Sequence, residues 1–152
     1  GVDLYFIGFQ EVQDLKLQGA LLTEEDKGRE WARAVVHTVC DRPSSPFRVL
    51  AARQMVGISL VVLARADLAV DGLAVADCGT GFLGSGGNKG AVAARFRARG
   101  MSVCCICSHL AASTGNVERR NQDYREILRR LSFSPATPPL QPDDLLASGR
   151  GP

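Results

Sequence analysis

The segment 57–64 constrains the fold of this chain more than any other, because it is apolar on both of the faces that a strand presents. Its sequence, GISLVVLA, contains no charged residue. Alternate side chains of a β-strand point to opposite faces of the sheet, so a strand without a polar face must lie in a sheet that is covered on both sides. We therefore expect layers of structure above and below the sheet that contains this segment.

The other predicted strands are short and are followed or preceded by helices. Arg99-Gly100 is a turn, and it makes a hairpin of the last two strands. The order of strand, helix, strands, hairpin and helix predicts an α/β (α+β) fold with some antiparallel pairing, which two stacked sheets with helices outside would satisfy. The strands are expected at Leu4–Val12, Phe47–Ala52, Gly57–Ala64, Ala91–Arg97 and Val103–Leu110.

Apolar residues at helical spacing predict two helices. The first ends near Val39, and Trp31, Val35 and Val39 would form its buried stripe. The second begins after Asn116, which can cap it, and ends near Leu131. Its buried stripe is expected at Val117, Tyr124, Ile127, Leu128 and Leu131.

The length and composition of the chain fit one globular domain, and its charge is unevenly distributed along the sequence. The chain has 152 residues, of which 45% are hydrophobic and 22% charged. Residues 1–77 hold eleven acids and eight bases, whereas residues 78–130 hold three acids and nine bases. An anionic partner is therefore expected on the second half, although the even total charge argues against a protein that coats nucleic acid. The segment 103–112 is mainly apolar, but it contains Ser108 and His109 and is too short and too polar to span a bilayer.

The cysteines and the C-terminal residues complete the general picture. Five cysteines, an odd number with three crowded into the apolar run at 104–107, predict neither a disulfide framework nor a zinc site, and we expect buried, reduced thiols in a cytosolic protein. Residues 1–133 are expected to form the domain. Residues 134–152 carry five of the seven prolines and no periodicity, so we expect an irregular tail.

The segment 78–90 contains six glycines and is expected to be a loop that lets the backbone approach a ligand or turn sharply. It matches G-x-G-x-x-G, but the helix and the acidic residue of a dinucleotide site do not follow. Lys89, the only lysine after Lys27, could bind an anion there among backbone amides. Phe82 and Leu83 would more simply fold inward as a small apolar cluster, with a membrane-dipping tip as the alternative.

Three further features admit a structural and a functional interpretation. Glu11 closes the first strand, either as a solvated strand end or as a ligand for Mg²⁺. His109 closes the late hairpin, where a hydrogen-bonded structural role is the simpler interpretation, and His37 is expected on the surface. The polar cluster 118–124 would by itself be a solvated helix face with i,i+4 ion pairs.

Taken in order, the motifs resemble the inositol polyphosphate 5-phosphatase catalytic domain, and most of all its type II, Lowe-syndrome phosphatase-like branch. The two most specific strings are GNKGAV at 87–92 and ERRNQDY at 118–124. The remaining motifs are FQEV at 9–12, VGI at 56–58 and SHLAA at 108–112. The resemblance spans residues 3–133 and implies the DNase I-like fold, a four-layer α/β/β/α sandwich of which this chain would be a part.

The resemblance also implies a function. It implies Mg²⁺-dependent removal of the 5-phosphate from phosphoinositides or soluble inositol polyphosphates, with Glu11 as the metal ligand. His109 would contact the scissile phosphate, and Asn88 and Lys89 would flank the substrate pocket. Phe82 and Leu83 would meet lipid at an anionic membrane surface. It further implies a cytoplasmic protein, peripheral on the cytosolic face of membranes, that does not act on nucleic acid.

Departures from the family pattern leave other hypotheses open. The first strand of the family, its Gly-Asp-Leu-Asn segment with the water-activating aspartate, its Pro-Ala-Trp-Thr-Asp-Arg segment and its terminal Ser-Asp-His are not found, and Ser113 stands where a histidine is usual. We therefore expect a domain that is incomplete at both ends. A non-catalytic fragment that binds only anions or membranes is one alternative, and a related nuclease is a weaker one. Such a fragment should be inactive and poorly soluble, with 58–64 partly uncovered.

Overall fold

A computed structural model describes residues 1–12, 24–40, 44, 46–80 and 89–133. Six strands and two helices lie within these ranges. In chain order they are β1 (Leu4–Gln10), α1 (Glu24–Val39), β2 (Phe47–Met55), β3 (Ile58–Arg65), β4 (Val70–Gly79), β5 (Gly90–Ala98), β6 (Met101–His109) and α2 (Val117–Arg130). The predicted tail, residues 134–152, lies outside the described residues.

The strands form two antiparallel sheets of three strands each, in the orders β1-β3-β2 and β4-β5-β6. The predicted hairpin of β5 and β6 is confirmed, with Ala98 opposite Met101. Strand β4 was not expected from the sequence. Its register shifts between Asp71 and Ala74, and this irregularity interrupts the alternation by which a strand is recognised.

The two sheets pack face to face, and each carries one helix on its outer face. Between the sheets lies the main apolar core, to which Leu60 and Val62 of β3 and Val92 and Phe96 of β5 contribute. Side chains of α1 cover the outer face of the first sheet. Ile127 of α2 packs on Cys78 and Ala91 of the second. The predicted α/β/β/α order is therefore present within this chain.

Strand β3 is the centre of the first sheet, and the expectation that it would be partly uncovered is wrong. Every residue from Ile58 to Ala64 is at most 3% exposed. Both faces are covered because the second sheet lies on one side and Ala32 and Val36 of α1 lie on the other. Described residues of this chain therefore cover both faces of β3.

Each helix buries only part of the stripe predicted for it. In α1 the fully buried residues are Ala32 and Val36, whereas Trp31 is 51% exposed and only Val35 and Val39 of the expected stripe pack on the core. In α2 Ile127 is buried, but most of the expected stripe is not. Val117, Tyr124 and Leu128 are each more than half exposed.

The N-terminus of α2 and the cysteines also depart from expectation. The side chain of Asn116 caps no helix N–H, and its Nδ2 instead donates to the carbonyl of Ala112 at 2.7 Å. All five cysteines are free, as predicted, but only Cys78 is buried and Cys104 is exposed. Within the described ranges, no helix combines the length and apolar character that a membrane crossing requires.

Candidate functional site

Glu11 leaves β1 in a conformation that redirects its side chain. In β1 the odd-numbered residues face α1, as the contact of Phe9 with Trp31 shows. Simple alternation would send Glu11 the same way. Its φ of +55° is rare for a residue other than glycine, and the carboxylate lies instead 3.4 Å from Nε2 of His109. Strained backbone of this kind concentrates at functional sites.

His109 and Lys89 lie against each other at the end of the second sheet. The imidazole is 6% exposed, and its Nε2 lies 2.6 Å from Nζ of Lys89. An ammonium group can only donate, so Nε2 accepts and the ring proton belongs on Nδ1. Nδ1 is buried and has no hydrogen-bond partner among the described residues. A carboxylate, an imidazole and an ammonium group therefore meet at one point, from segments about a hundred residues apart.

The meeting of β1 with β6 depends on Gly8 and Gln10. A Cβ on Gly8 would lie 2.7 Å from Sγ of Cys107, so only glycine lets the two strands approach this closely. Beyond this contact, Nε2 of Gln10 donates to the carbonyl of Ser108 at 2.5 Å. Gln10 directly precedes Glu11, and Ser108 directly precedes His109. The hydrogen bond between them therefore holds the ends of the two sheets together.

Gly90 places Lys89 beside His109. It is the first residue of β5 and stands in register between Gly79 and His109. Its φ of +150° is one that residues with a side chain rarely adopt, and a Cβ there would lie 2.2 Å from the carbonyl oxygen of Cys78. Sequence reasoning noted the glycines of this segment but not that this one sets the start of the strand.

The polar cluster at 118–124 is more than the solvated helix face that we expected. Asp123 is 1% exposed and accepts a hydrogen bond at Oδ2 from the backbone N–H of Ala111 at 2.9 Å. Arg119 lies 3.0 Å from Oδ1 of Asp123 through Nε and donates through Nη2 to the carbonyl of Thr80 at 2.8 Å. Arg120 donates to the carbonyls of Ala111, Ser113 and Thr114.

A second contact from α2 reaches the same end of β4. Nη1 of Arg130 donates to the carbonyl of Gly79 at 2.9 Å. The neighbouring Thr80 is buried, and its Oγ1 has no hydrogen-bond partner among the described residues. Sequence reasoning singled out the ERRNQDY string but assigned none of its residues to the backbone of the site. The signal was the presence of a carboxylate at a helix position that packing would bury.

The remaining predicted site residues divide into two groups. His37 is exposed on α1, as expected, and lies away from the cluster. Asn88, Phe82 and Leu83 lie outside the described residues, so their assignment to the substrate pocket and to lipid contact stays a prediction. Of the predicted residues, Glu11, His109 and Lys89 are those that the structure brings together.

The donor set at this point suits a hard cation held by few protein ligands. Within the described ranges no group of three or more His, Cys, Asp and Glu side chains could hold a metal ion. Glu11 is 69% exposed, and its carboxylate is therefore accessible. Mg²⁺ is commonly bound through one or two carboxylates, with water and substrate phosphates as the other ligands. Glu11 fits such an open site. A closed structural metal site would need more protein ligands than are found here among the described residues.

Comparison with known proteins identifies the domain. Residues 1–149 match endonuclease/exonuclease/phosphatase family 2. The type II inositol 1,4,5-trisphosphate 5-phosphatase of Mus musculus is 38% identical over 143 residues, which is 91% of this chain and 14% of that protein. Synaptojanin-1 of Homo sapiens is 36% identical over 133 residues, which is 86% of this chain and 8% of that protein.

A solved structure agrees with these relatives. The inositol polyphosphate 5-phosphatase domain of SpSynaptojanin, in complex with inositol (1,4)-bisphosphate and a calcium ion, matches with a TM-score of 0.67 and 30% identity. The match covers 88% of this chain and 38% of that one. The chain thus spans well under half of the solved domain and about a seventh or less of its full-length relatives. It belongs to endonuclease/exonuclease/phosphatase family 2 and corresponds to part of an inositol polyphosphate 5-phosphatase catalytic domain.

Proposed function

We propose that this chain carries part of the active site of a Mg²⁺-dependent phosphatase that removes the 5-phosphate from phosphoinositides or soluble inositol polyphosphates. The observation that carries the proposal is the convergence of Glu11, His109 and Lys89. Glu11 follows a strand of the first sheet, whereas Lys89 and His109 lie at the end of the second. Neither the fold nor the hydrophobic core requires a carboxylate, an imidazole and an ammonium group at one point. The relatives named for 5-phosphatase activity and the solved domain with inositol (1,4)-bisphosphate support the same substrate class.

Each of the three side chains has a chemical role in this proposal. Lys89 would bind a phosphate oxygen and offset its charge. When Lys89 binds the phosphate instead of Nε2, a proton on Nε2 of His109 would donate a hydrogen bond to the phosphoryl group. Glu11 would hold Mg²⁺, which neutralises negative charge that develops on the phosphoryl oxygens. Asn88 would flank the same pocket beside Lys89.

The place of action in this proposal is the cytosolic face of a membrane, reached from the cytoplasm. Residues 78–130 carry nine bases and three acids, and this excess favours encounter with an anionic leaflet. Phe82 and Leu83 would contact lipid next to the substrate pocket. The related nuclease activity remains the weaker alternative.

The isolated 152-residue chain is the subject of a second proposal, that it binds anions without turning over substrate. Among its described residues, Glu11 is the one carboxylate that contacts His109. The residue that would activate water is missing from the pattern that the chain shares with the family. Phosphate release by the isolated chain would therefore refute this second proposal without touching the first.

A chimeric enzyme tests the proposed function directly. Residues 1–133 would replace the matching stretch of the mouse type II 5-phosphatase, and phosphate release from inositol 1,4,5-trisphosphate would be measured with and without Mg²⁺. We expect Mg²⁺-dependent turnover that Glu11→Gln reduces by about 100-fold or more, because the substitution removes a charge that binds the metal. Glu30→Gln, at an exposed position on α1, is the matched control and should leave turnover unchanged.

The outcomes of the chimera experiment are distinct. A folded chimera with wild-type turnover after Glu11→Gln would show that Glu11 is not the metal ligand. A folded chimera that nicks plasmid DNA but releases no phosphate from the inositol substrate would favour the nuclease hypothesis. Circular dichroism of each variant shows whether the chimera is folded.

A further inference from the structure

The contacts of α2 close a ring around the candidate site. Nε2 of His109 touches Lys89, and the carbonyl of Lys89 accepts a hydrogen bond from the N–H of Thr80 at 3.0 Å. The carbonyl of Thr80 accepts from Arg119, which pairs with Asp123. Asp123 then accepts from the N–H of Ala111, two residues after His109. One ion pair on a helix therefore joins the two segments that carry the imidazole and the ammonium group.

The burial of this ion pair fits a positioning role better than a purely surface one. The side chain of Asp123 is 1% exposed and that of Arg119 is 45% exposed, so the pair reaches from the interior to the edge of the site. A buried carboxylate is costly unless it is paired and accepts hydrogen bonds. Here Oδ2 accepts from a backbone N–H, whereas Oδ1 has no hydrogen-bond partner among the described residues and is ion-paired with Nε of Arg119 at 3.0 Å; both contacts lead to the site rather than to the apolar core.

We infer that the Arg119–Asp123 pair positions His109 against Lys89, and that both are positioning residues of the phosphatase site. The role in a phosphatase site rests on the proposed function, whereas the positioning of His109 against Lys89 can be tested without it. Without the pair, Arg120 and Arg130 would still tie α2 to the loop after His109 and to Gly79. The path through the carbonyl of Thr80, whose N–H is bonded to Lys89, would be lost, and the distance between imidazole and ammonium would be less well fixed.

The imidazole of His109 gives a direct readout on the chain as it exists. The chain has two histidines, and the exposed His37 serves as an internal reference. Long-range ¹H–¹⁵N spectra at a fixed neutral pH would be recorded for the wild type and for Lys89→Met, which removes the ammonium contact outright. We expect Arg119→Ala to move the Nε2 resonance of His109 in the same direction as Lys89→Met, with His37 unchanged.

Three further variants separate positioning from charge and from stability. Arg119→Lys should not restore the wild-type spectrum, because an ammonium group does not reproduce the two directed contacts that Nε and Nη2 make. Arg125→Ala removes the same charge from an exposed position of α2. Ile127→Val loosens the packing of α2 on the second sheet. Both of these should leave the His109 resonances in place.

The result that would overturn the inference is equally specific. Arg119→Ala would unfold at lower denaturant, as Ile127→Val does, while the His109 resonances stay at their wild-type positions. If Arg119→Ala prevents folding altogether, Asp123→Asn provides the same test with an isosteric side chain that keeps the Ala111 contact. An unmoved His109 resonance in that folded variant would overturn the inference as well.

The chimera separates this inference from the proposed function. In an active chimera we expect Arg119→Ala to lower kcat about tenfold with KM within about twofold, since a displaced imidazole weakens contacts made in the transition state. An equal kcat for Arg119→Ala and Arg125→Ala would contradict the role of the pair in the reaction. If the wild-type chimera is inactive, the proposed function fails, and the imidazole spectra alone decide whether the pair positions His109.

Discussion

At the scale of single residues, burial decides the chemistry of the thiols on β6. Cys104 faces solvent, whereas Cys105 faces the core and donates from Sγ to the carbonyl of Ala94 at 3.4 Å. Burial raises the pKa of Cys105 to about 11 and also raises the pKa of Cys107. Both thiols are therefore protonated at neutral pH and serve as packing groups, as the sequence suggested for the cysteines in general.

The raised pKa of Cys105 predicts a loss of stability at alkaline pH. Between pH 9 and about 11 the unfolded chain has lost this proton and the folded chain has kept it, so the free energy of unfolding falls as pH rises. The thiol is only partly buried, and we expect about 1 kcal/mol or less per pH unit from it. Urea unfolding across this range should show a shallower pH slope for Cys105→Ala. The exposed Cys104→Ala should keep the wild-type slope, and an unchanged slope in both would contradict the assignment.

At the scale of secondary structure, the ends of strands are set by positions where backbone meets backbone. β5 begins at Gly90 because the carbonyl of Cys78 and the side chain of Met55 fill the space that a Cβ would need. Helix α2 is also positioned by contacts with backbone groups. It turns Arg119, Asp123 and Arg130 toward the loop backbones at the ends of the second sheet and leaves Tyr124 exposed.

Gly90→Ala should therefore be costly in proportion to this crowding. The new Cβ would meet backbone 2.2 Å away and would require an unfavourable φ, so we expect a loss of about 2–4 kcal/mol in the free energy of unfolding. Gly100→Ala is the matched control, because Gly100 also has a positive φ but no atom within 4 Å of the new Cβ. Its cost should be about 1 kcal/mol. Equal losses for the two variants in urea unfolding would show that crowding at Gly90 is not the cause.

At the scale of the whole molecule, the two sheets share one core and are also joined by an ion pair between their strands. Arg53 of β2 and Asp77 of β4 are both about 70% buried, and Nε of Arg53 lies 2.6 Å from Oδ1 of Asp77. Because the sheets bury their inner faces only against each other, neither should persist when the other unfolds.

A double-mutant cycle measures how strongly this ion pair couples the sheets. We expect Arg53→Ala and Asp77→Ala to show a coupling energy of about 1 kcal/mol in urea unfolding, since the pair is partly desolvated and both Nε and Nη2 of Arg53 donate to Oδ1 of Asp77. The pair of Arg65 and Asp67 is bidentate but more exposed and lies within the end of β3 and its following turn, so its cycle should show a smaller coupling and no link between the sheets. Additive losses at Arg53 and Asp77 would mean that this ion pair does not couple the sheets.

The layering of the fold and the identity of the motifs could be predicted from local patterns in the sequence. A strand without a polar face required cover on both sides, and strand and helix periodicities placed seven of the eight elements. The order of short motifs pointed to the family that the comparisons confirmed. These conclusions follow from local pattern, which the chain carries wherever its residues lie in space.

Which side chains meet depends on long-range contacts that no local pattern predicts. The left-handed φ of Glu11 overrides strand alternation, and the contact of Lys89 with His109 depends on Gly90 being crowded by β4. Of the apolar stripe predicted for α2, only Ile127 and Leu131 pack on the second sheet, and Arg119 and Arg130 donate to loop carbonyls that local pattern could not identify. The physical reason is that long-range hydrogen bonds and close backbone approaches join residues far apart in sequence, and local periodicity contains no information about them.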